Sequence, residues 1–408
     1  MTTEPGSDAG DIFARARGWT GADEVRAQGL YPFFRSFERS DGPEAVLEGR
    51  RVLMFGSNNY LGLTTHPRVR EAAAKAVHRW GTSMTGSRFV NGSLELHDEL
   101  EAQLAAFYGK PAALVFTSGY QVNLAVGAAL LGDEHAVAVI DRQVHASIYD
   151  GVRLGMAGGG RWVRFRHNTP ASLQRALERL APDDLPLVMT DGVFSAEGTL
   201  APLDELVPIA RARGARVLVD DAHGLGVVGP GGRGTAHHFG VAAEVDLIGG
   251  TFSKSLASVG GFLVGDAEVL DYIRHFAPSF MFAASASPAS LAAAQAALAL
   301  IDEEPWRGER ARSHAAHLAR ELRGLGFSVQ AGGSAIVSVV LADAARTLQF
   351  WNDLLREHEI YTNPFIPPGV PEQGALLRMS CMATHEAGHV ERALEAFEAV
   401  GRRLGVVT

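Results

Sequence analysis

Two short segments of this chain carry side chains that could do chemistry together. Val219-Asp220-Asp221-Ala222-His223-Gly224 ends an apolar run in an acid, with a histidine three residues beyond Asp220. About thirty residues later, Thr251-Phe252-Ser253-Lys254-Ser255 sets a lysine among small hydroxyl residues. An acid can hold the protonated nitrogen of a pyridine ring, a histidine can donate to a ring oxygen, and a lysine amine can form a Schiff base. That is the set a pyridoxal 5'-phosphate (PLP) site requires, so the pairing points to an enzyme. Asp220 at the end of so apolar a strand would be costly to bury without a partner charge, and a pyridinium would supply one. Asp221 beside it competes for the same role, and spacing alone does not choose between them.

Other segments gather reactive side chains where a strand gives way to a helix. Phe116-Thr117-Ser118-Gly119-Tyr120-Gln121 is a strand followed by a glycine turn that opens a helix. Backbone N–H groups there form an anion site, with Gly119 and Tyr120 placed to hold a phosphate; read alone, a Ser-Gly turn is more often a plain connection. His145, in Asp141-Arg142-Gln143-Val144-His145-Ala146-Ser147, is positioned either to stack on an aromatic cofactor or to cap a helix. Asp191-Gly192-Val193-Phe194-Ser195 brings an acid and a hydroxyl to another strand end, or simply makes a turn.

The elements that must position these residues are legible in the apolar periodicity. Short runs at Ala112–Phe116, Ala136–Ile140, Trp162–Phe165, Leu187–Thr190 and Val217–Val219 alternate with helical patterns at Leu94–Phe107, Ala146–Leu154, Ala171–Leu180 and Leu203–Arg213. This rhythm predicts an α/β fold with a mostly parallel sheet covered on both faces. In such sheets ligands sit beyond the carboxyl ends of the strands. The pattern changes after Phe262-Leu263-Val264, to helices at Ser287–Ile301, Glu309–Leu325, Leu348–His358 and Ala387–Leu404 around a strand at Ala335–Leu341. The division expected is an N-terminal helix, arm and hairpin over residues 1–55, a large cofactor-binding domain over 56–289 and a smaller α+β domain over 290–408. The Glu48-Gly49 pair is expected to turn the hairpin Ala45–Met54.

Composition narrows the classes further. The 408 residues are 47% hydrophobic and 20% charged, enough for a large core and a satellite. The net charge of -9 is scattered, with no basic stripe for nucleic acid. No apolar run reaches the roughly 18 residues that span a bilayer, and Met1–Thr20 lacks the apolar core of a leader, so a cytoplasmic protein is expected. The one cysteine, Cys381, excludes an intramolecular disulfide, offers no metal cluster and reads as a buried thiol between Met379 and Met382.

Taken together, Gly56-Ser57-Asn58-Asn59-Tyr60-Leu61-Gly62-Leu63, Gly86-Ser87-Arg88-Phe89-Val90-Asn91-Gly92-Ser93 with His97, Asp191–Ser195, Asp220–Gly224 and Gly250–Ser255 resemble the α-oxoamine synthases. The match runs in order from about residue 29 to residue 405. Gly29-Leu30-Tyr31-Pro32-Phe33-Phe34 and Thr85–Gly92 are similar to the serine palmitoyltransferase branch of that family. The resemblance implies an aspartate aminotransferase-like transferase of fold type I and a homodimer with active sites at the subunit interface. It implies that Lys254 forms the Schiff base, Asp220 pairs with the pyridine nitrogen, His145 stacks on the ring, and Ser195 and His223 bond its phenolic oxygen. The phosphate would be held by Thr251 with Ser118, Gly119 and Tyr120, and the amino-acid carboxylate by Asn58 and Arg378. The implied reaction condenses an amino acid with an acyl thioester, releasing CO2 and thiol and giving an α-aminoketone. Serine and a long-chain acyl-CoA are the expected pair; glycine, alanine or a carrier-protein-bound chain are alternatives. A fold-type I aminotransferase is the alternative of another class, and a non-catalytic scaffold is disfavoured because Lys254, Asp220 and His223 are all present. Three departures stand out. Ile366 takes the place of an arginine found in many bacterial serine palmitoyltransferases, Ala283 and Ala284 lack a hydroxyl that relatives turn toward the partner's phosphate, and Ser83-Met84-Thr85 replaces a glycine-rich segment.

Overall fold

The structure is a computed structural model that describes residues 11–408; residues 1–10 of the expected N-terminal arm lie outside the described residues. A hairpin comes first among the strands: β1 (Phe37–Ser40), β2 (Glu44–Leu47) and β3 (Arg50–Met54) run antiparallel in turn. Glu48 and Gly49, at φ 53° and 72°, make the two-residue turn whose twist matches that of paired strands.

The alternating apolar runs build a seven-stranded sheet from β4 (Ala112–Phe116), β5 (Ala136–Asp141), β6 (Arg161–Phe165), β7 (Leu185–Asp191), β8 (Arg216–Asp220), β9 (Leu247–Thr251) and β10 (Gly261–Gly265), in the spatial order β4-β10-β9-β8-β7-β5-β6. Only β10 runs against its neighbours, β4 and β9; the other pairs are parallel. Parallel neighbours need crossover connections, and the helices that supply them cover both faces. In β5, Val137 and Val139 join one core cluster while Ala138 and Ile140 join another on the opposite face. That double burial is why β5 reads as an unbroken apolar run.

Two helices over this sheet, Gly119–Leu130 and Ala146–Met156, cross at very close range. Gly127 and Gly151 permit it, since a methyl at Gly127 would run into Gly151 and one at Gly151 into the Asn123 carbonyl.

The C-terminal sheet holds β11 (Val329–Gln330), β12 (Ile336–Ala342), β14 (Asn363–Phe365) and β15 (Ala375–Ser380) in the order β11-β12-β15-β14. Between them β13 (Ile360–Tyr361) pairs in parallel with β3, so the hairpin shares its sheet and its core with C-terminal residues: Leu53 and Phe55 cluster with Trp351 and Phe397. Helix Pro288–Glu303 turns the other way and buries Leu291 and Leu298 in the core of the large sheet. Among the described residues no helix is long and apolar enough to cross a membrane. Cys381 is fully buried, and burial pushes its thiol up to about 12, an inert side chain.

Candidate active site

Parallel register sets the first part of the site. Asp191, the last residue of β7, lies opposite Asp220, the last of β8, and Asp220 lies opposite Gly249 of β9. Both carboxylates therefore reach the carboxyl edge of the sheet, where the loops after β4, β5, β7, β8 and β9 enclose a cavity of about 260 Å³. Ser118, Gly119 and Tyr120 line it from the start of helix Gly119–Leu130, His145 from the N-cap of helix Ala146–Met156, and Ser195 from the loop after β7. Asp220, His223, Thr251 and Lys254 complete the wall.

The neighbouring acids divide clearly. Asp220 faces the cavity and accepts hydrogen bonds from Asn123 Nδ2 (2.7 Å) and the Ala222 N–H (3.1 Å). Asp221 is turned away and fully buried, taking the Thr235 N–H at 2.8 Å and the Thr235 hydroxyl at 2.9 Å. Burial pushes its carboxyl up to about 7. Asp191 accepts the His145 N–H at 3.2 Å, and burial, reinforced by nearby Asp220, holds its carboxyl well above the usual range.

Burial also governs the bases. The Lys254 amine is pushed down to about 8 by desolvation, against the pull of Asp220. At that value roughly a tenth of the amine is uncharged near pH 7, against well under a thousandth for an ordinary lysine. His145 and His223 are both held below their usual range by burial first, with Lys254 adding to it.

Asn58 and Arg378 stand outside the cavity wall. Asn58 lines an adjoining cleft of about 430 Å³ that shares Lys254, Ser253 and Val259 with the cavity, so Lys254 stands between the two spaces. Arg378, on β15 and 3% exposed, donates from Nη2 to Asn58 Oδ1 (2.9 Å) and to the Tyr60 hydroxyl (3.0 Å). Tyr60 in turn sits 2.7 Å from His223 Nδ1. The sequence motif around Tyr60 gives no local sign that its hydroxyl joins the two halves of the site. Ala283 and Ala284 border a separate small cleft beside Arg88, where the Ser285 hydroxyl is buried without a partner.

The cavity fits PLP on its own geometry. A methyl at Gly119 would lie 2.7 Å from Thr251 Cβ, so only glycine lets the helix start come this near β9. The first helical N–H groups have no intrahelical partner; Ser118 Oγ takes that of Gln121 at 3.3 Å, which leaves Gly119 and Tyr120 beside the Thr251 and Ser253 hydroxyls as an anion cradle. Amine, acid and imidazoles line the remaining wall. Across Lys254, Arg378 Nε is buried without a partner, a guanidinium edge awaiting an anion.

The sequence profile of the family described as aminotransferase class I and II matches residues 50–397. Over 374 residues the chain is 42% identical to a serine palmitoyltransferase of Sphingobacterium spiritivorum, an alignment covering 91% of this chain and 92% of that one. It is 43% identical over 386 residues to an 8-amino-7-oxononanoate synthase of Geobacter sulfurreducens, covering 94% and 97%. A solved serine palmitoyltransferase from S. paucimobilis with a bound PLP–myriocin aldimine superposes with a TM-score of 0.93 at 35% identity, over 97% of this chain and 100% of that one.

Proposed function

The chain belongs to the aminotransferase class I and II family, as a PLP-dependent acyltransferase of the α-oxoamine synthase kind with the fold-type I architecture, and from that premise we propose that it condenses serine with a long-chain acyl thioester, acyl-CoA in the first instance. The observation that carries the proposal is the position of Lys254 between a cavity lined by Asp220, His145 and His223 and a cleft lined by Asn58, itself bonded to Arg378. The products are an α-aminoketone, CO2 and free thiol.

When bound, PLP supplies an electron sink that makes the Cα proton of an amino acid acidic. Lys254 would hold it through its amine, Asp220 at the ring nitrogen, His145 against the ring, Ser195 and His223 at the phenolic oxygen, and Ser118, Thr251 and the Gly119 and Tyr120 amides at the phosphate. Lys254 Nζ would be the base that takes the Cα proton of the amino acid, a task suited to an amine held near 8. Arg378 and Asn58 bind the substrate carboxylate. Tyr60, whose hydroxyl lies 2.7 Å from His223 Nδ1 and 3.2 Å from Asn58 Oδ1 and accepts from Arg378, connects the carboxylate site to the oxygen site.

The second reading keeps the reaction and changes a substrate: glycine or alanine for serine, or a carrier protein for coenzyme A. The departure from the serine palmitoyltransferase pattern at Ile366, directly after β14 (Asn363–Phe365), is what motivates it. A homodimer with interfacial active sites belongs to the proposal as well. Val259 at the cavity is 62% exposed, and the bridged segments around Ser87 and Ala284 carry exposed Phe89, Val90 and Phe282, apolar surface of the kind that a partner covers. The division at residues 1–55, 56–289 and 290–408 is proposed too, with helix Pro288–Glu303 crossing the second boundary in sequence while packing in the core of the large sheet.

The test is thiol release by the PLP-loaded protein with serine, glycine or alanine against thioesters of graded chain length. Release with serine and long chains supports the first reading; release with another amino acid only moves it to the second. No release with any donor, together with turnover of a keto acid, would replace both with transamination.

A further inference from the structure

We propose that Asn123 is a positioning residue that ties Asp220 to the proton arrangement of His145, through Ser147. The inference rests on Asp220 and His145 serving the cofactor as set out above. Asn123 lies on helix Gly119–Leu130, 1% exposed, in an otherwise apolar stretch beside Val122, Ala125 and Val126. Its amide nitrogen is 2.7 Å from Asp220 Oδ2 and 2.8 Å from Ser147 Oγ.

The direction of every bond in this chain follows from donor and acceptor capacity together with the Ser147 backbone N–H, which already donates to His145 Nδ1. A carboxylate only accepts, so the amide turns its NH2 toward Asp220, and its two hydrogens are used up by Asp220 and Ser147. Ser147 Oγ thus accepts from Asn123, and its own proton goes to the remaining neighbour, His145 Nδ1, at 2.7 Å. The Ser147 backbone N–H points at the same nitrogen, 3.3 Å away. Two donors converge on Nδ1, which therefore carries no proton, and the neutral imidazole holds its hydrogen on Nε2. Burial independently favours the neutral ring. Asn123 Oδ1 is meanwhile buried without a partner, a loss that a merely structural asparagine would avoid. The whole arrangement depends on the close helix crossing, where Gly151 lies against the Asn123 carbonyl and brings Ser147 within reach.

The first test is nitrogen NMR of the ligand-free protein carrying ¹⁵N-histidine, with His145 assigned by the resonance lost in His145→Gln. The wild type is expected to show the Nε2–H tautomer. Ser147→Ala should raise the Nδ1–H population relative to Nε2–H by about threefold or more, the effect of one ordinary hydrogen bond, while Ser147→Thr keeps the wild-type pattern. A wild-type Nδ1–H tautomer, or an unchanged ratio in Ser147→Ala, would overturn the proposal. The arm toward Asp220 is read on the PLP-loaded protein as the pH midpoint of the near-visible absorbance. Asn123→Leu should move the proton-binding equilibrium by about threefold or more and Ser147→Ala by less, because Asn123 bonds Asp220 and Ser147 does not. Equal shifts in both, or none in either, would break that tie. Should Asn123→Leu fail to fold, the Ser147 variants decide the proposal. No amino acid or thioester enters either measurement, so the result stands apart from the substrate assignment.

Discussion

Lys254 can attack a carbonyl only as a free base, and burial brings its amine down to about 8. Uptake of PLP by the stripped protein should therefore accelerate with rising pH, level off above about 8 as the neutral fraction saturates, and be followed by stopped-flow absorbance; a rate still climbing toward pH 10 would mean an ordinary lysine. Lys254→Ala should abolish the near-visible absorbance of the loaded protein while leaving its far-ultraviolet circular dichroism intact. Arg378→Ala should leave that absorbance in place but weaken amino-acid binding about 10- to 100-fold in a spectral titration, the range expected for a lost hydrogen bond to a charged group. An unchanged titration would move the carboxylate site elsewhere. Lys254, His223 and the Asp220-Asp221 pair stand out in the sequence because an amine, an imidazole and an acid at this spacing suit one cofactor, while the choice of Asp220 over Asp221 comes from the family resemblance. Tyr60, Asn123 and Ser147 do not. Tyr60 meets His223 across 163 positions and Arg378 across 318, and neither a tyrosine after a Ser-Asn-Asn loop nor an asparagine inside an apolar run gives a local sign of such a partner.

At the scale of elements, the site depends on the β7–β8 register and on the Gly127–Gly151 crossing. Gly151→Val should cost about 1–3 kcal/mol or more in urea unfolding, because the added side chain must force the two helices apart, and should weaken PLP binding by separating Asn123 from Ser147. Gly388, in the first turn of the C-terminal helix, has open space around a prospective Cβ; Gly388→Ala should leave stability unchanged or slightly raised. Equal losses in the two variants would argue against the packing account. Strands such as Ala112–Phe116 were read from apolar runs to within a residue or two because their burial on both faces leaves no polar interruption. The strand β9 was harder to see. Its Gly249-Gly250 pair interrupts the apolar run, and a methyl at Gly250 would strike the Phe262 ring of β10, so the glycine reflects close packing between strands. The antiparallel placement of β10 between β4 and β9 is a matter of tertiary pairing, which periodicity does not encode.

At the scale of the molecule, the N-terminal hairpin is held by C-terminal residues, through β3 and β13 and the shared core around Phe55 and Trp351. The apolar side chains Val259, Phe89, Val90 and Phe282 remain exposed in the single chain. The proposed homodimer predicts a sedimenting mass of twice the 43.4 kDa chain, and predicts that Val259→Asp lowers both dimer content and PLP affinity; a monomer that retains full activity would remove the interface from the account. The reaction class was legible because it depends on a few residue types in fixed order, but the choice of amino acid was not, since it turns on single contacts. The most direct measurement is a dual assay of the PLP-loaded protein with carboxyl-labelled serine and a long-chain acyl-CoA, counting labelled CO2 and free thiol in one reaction. Decarboxylating condensation predicts the two in equal amounts, both lost in Lys254→Ala. Thiol without CO2 would mean thioester hydrolysis, and CO2 without thiol would mean simple decarboxylation; either would contradict the central claim.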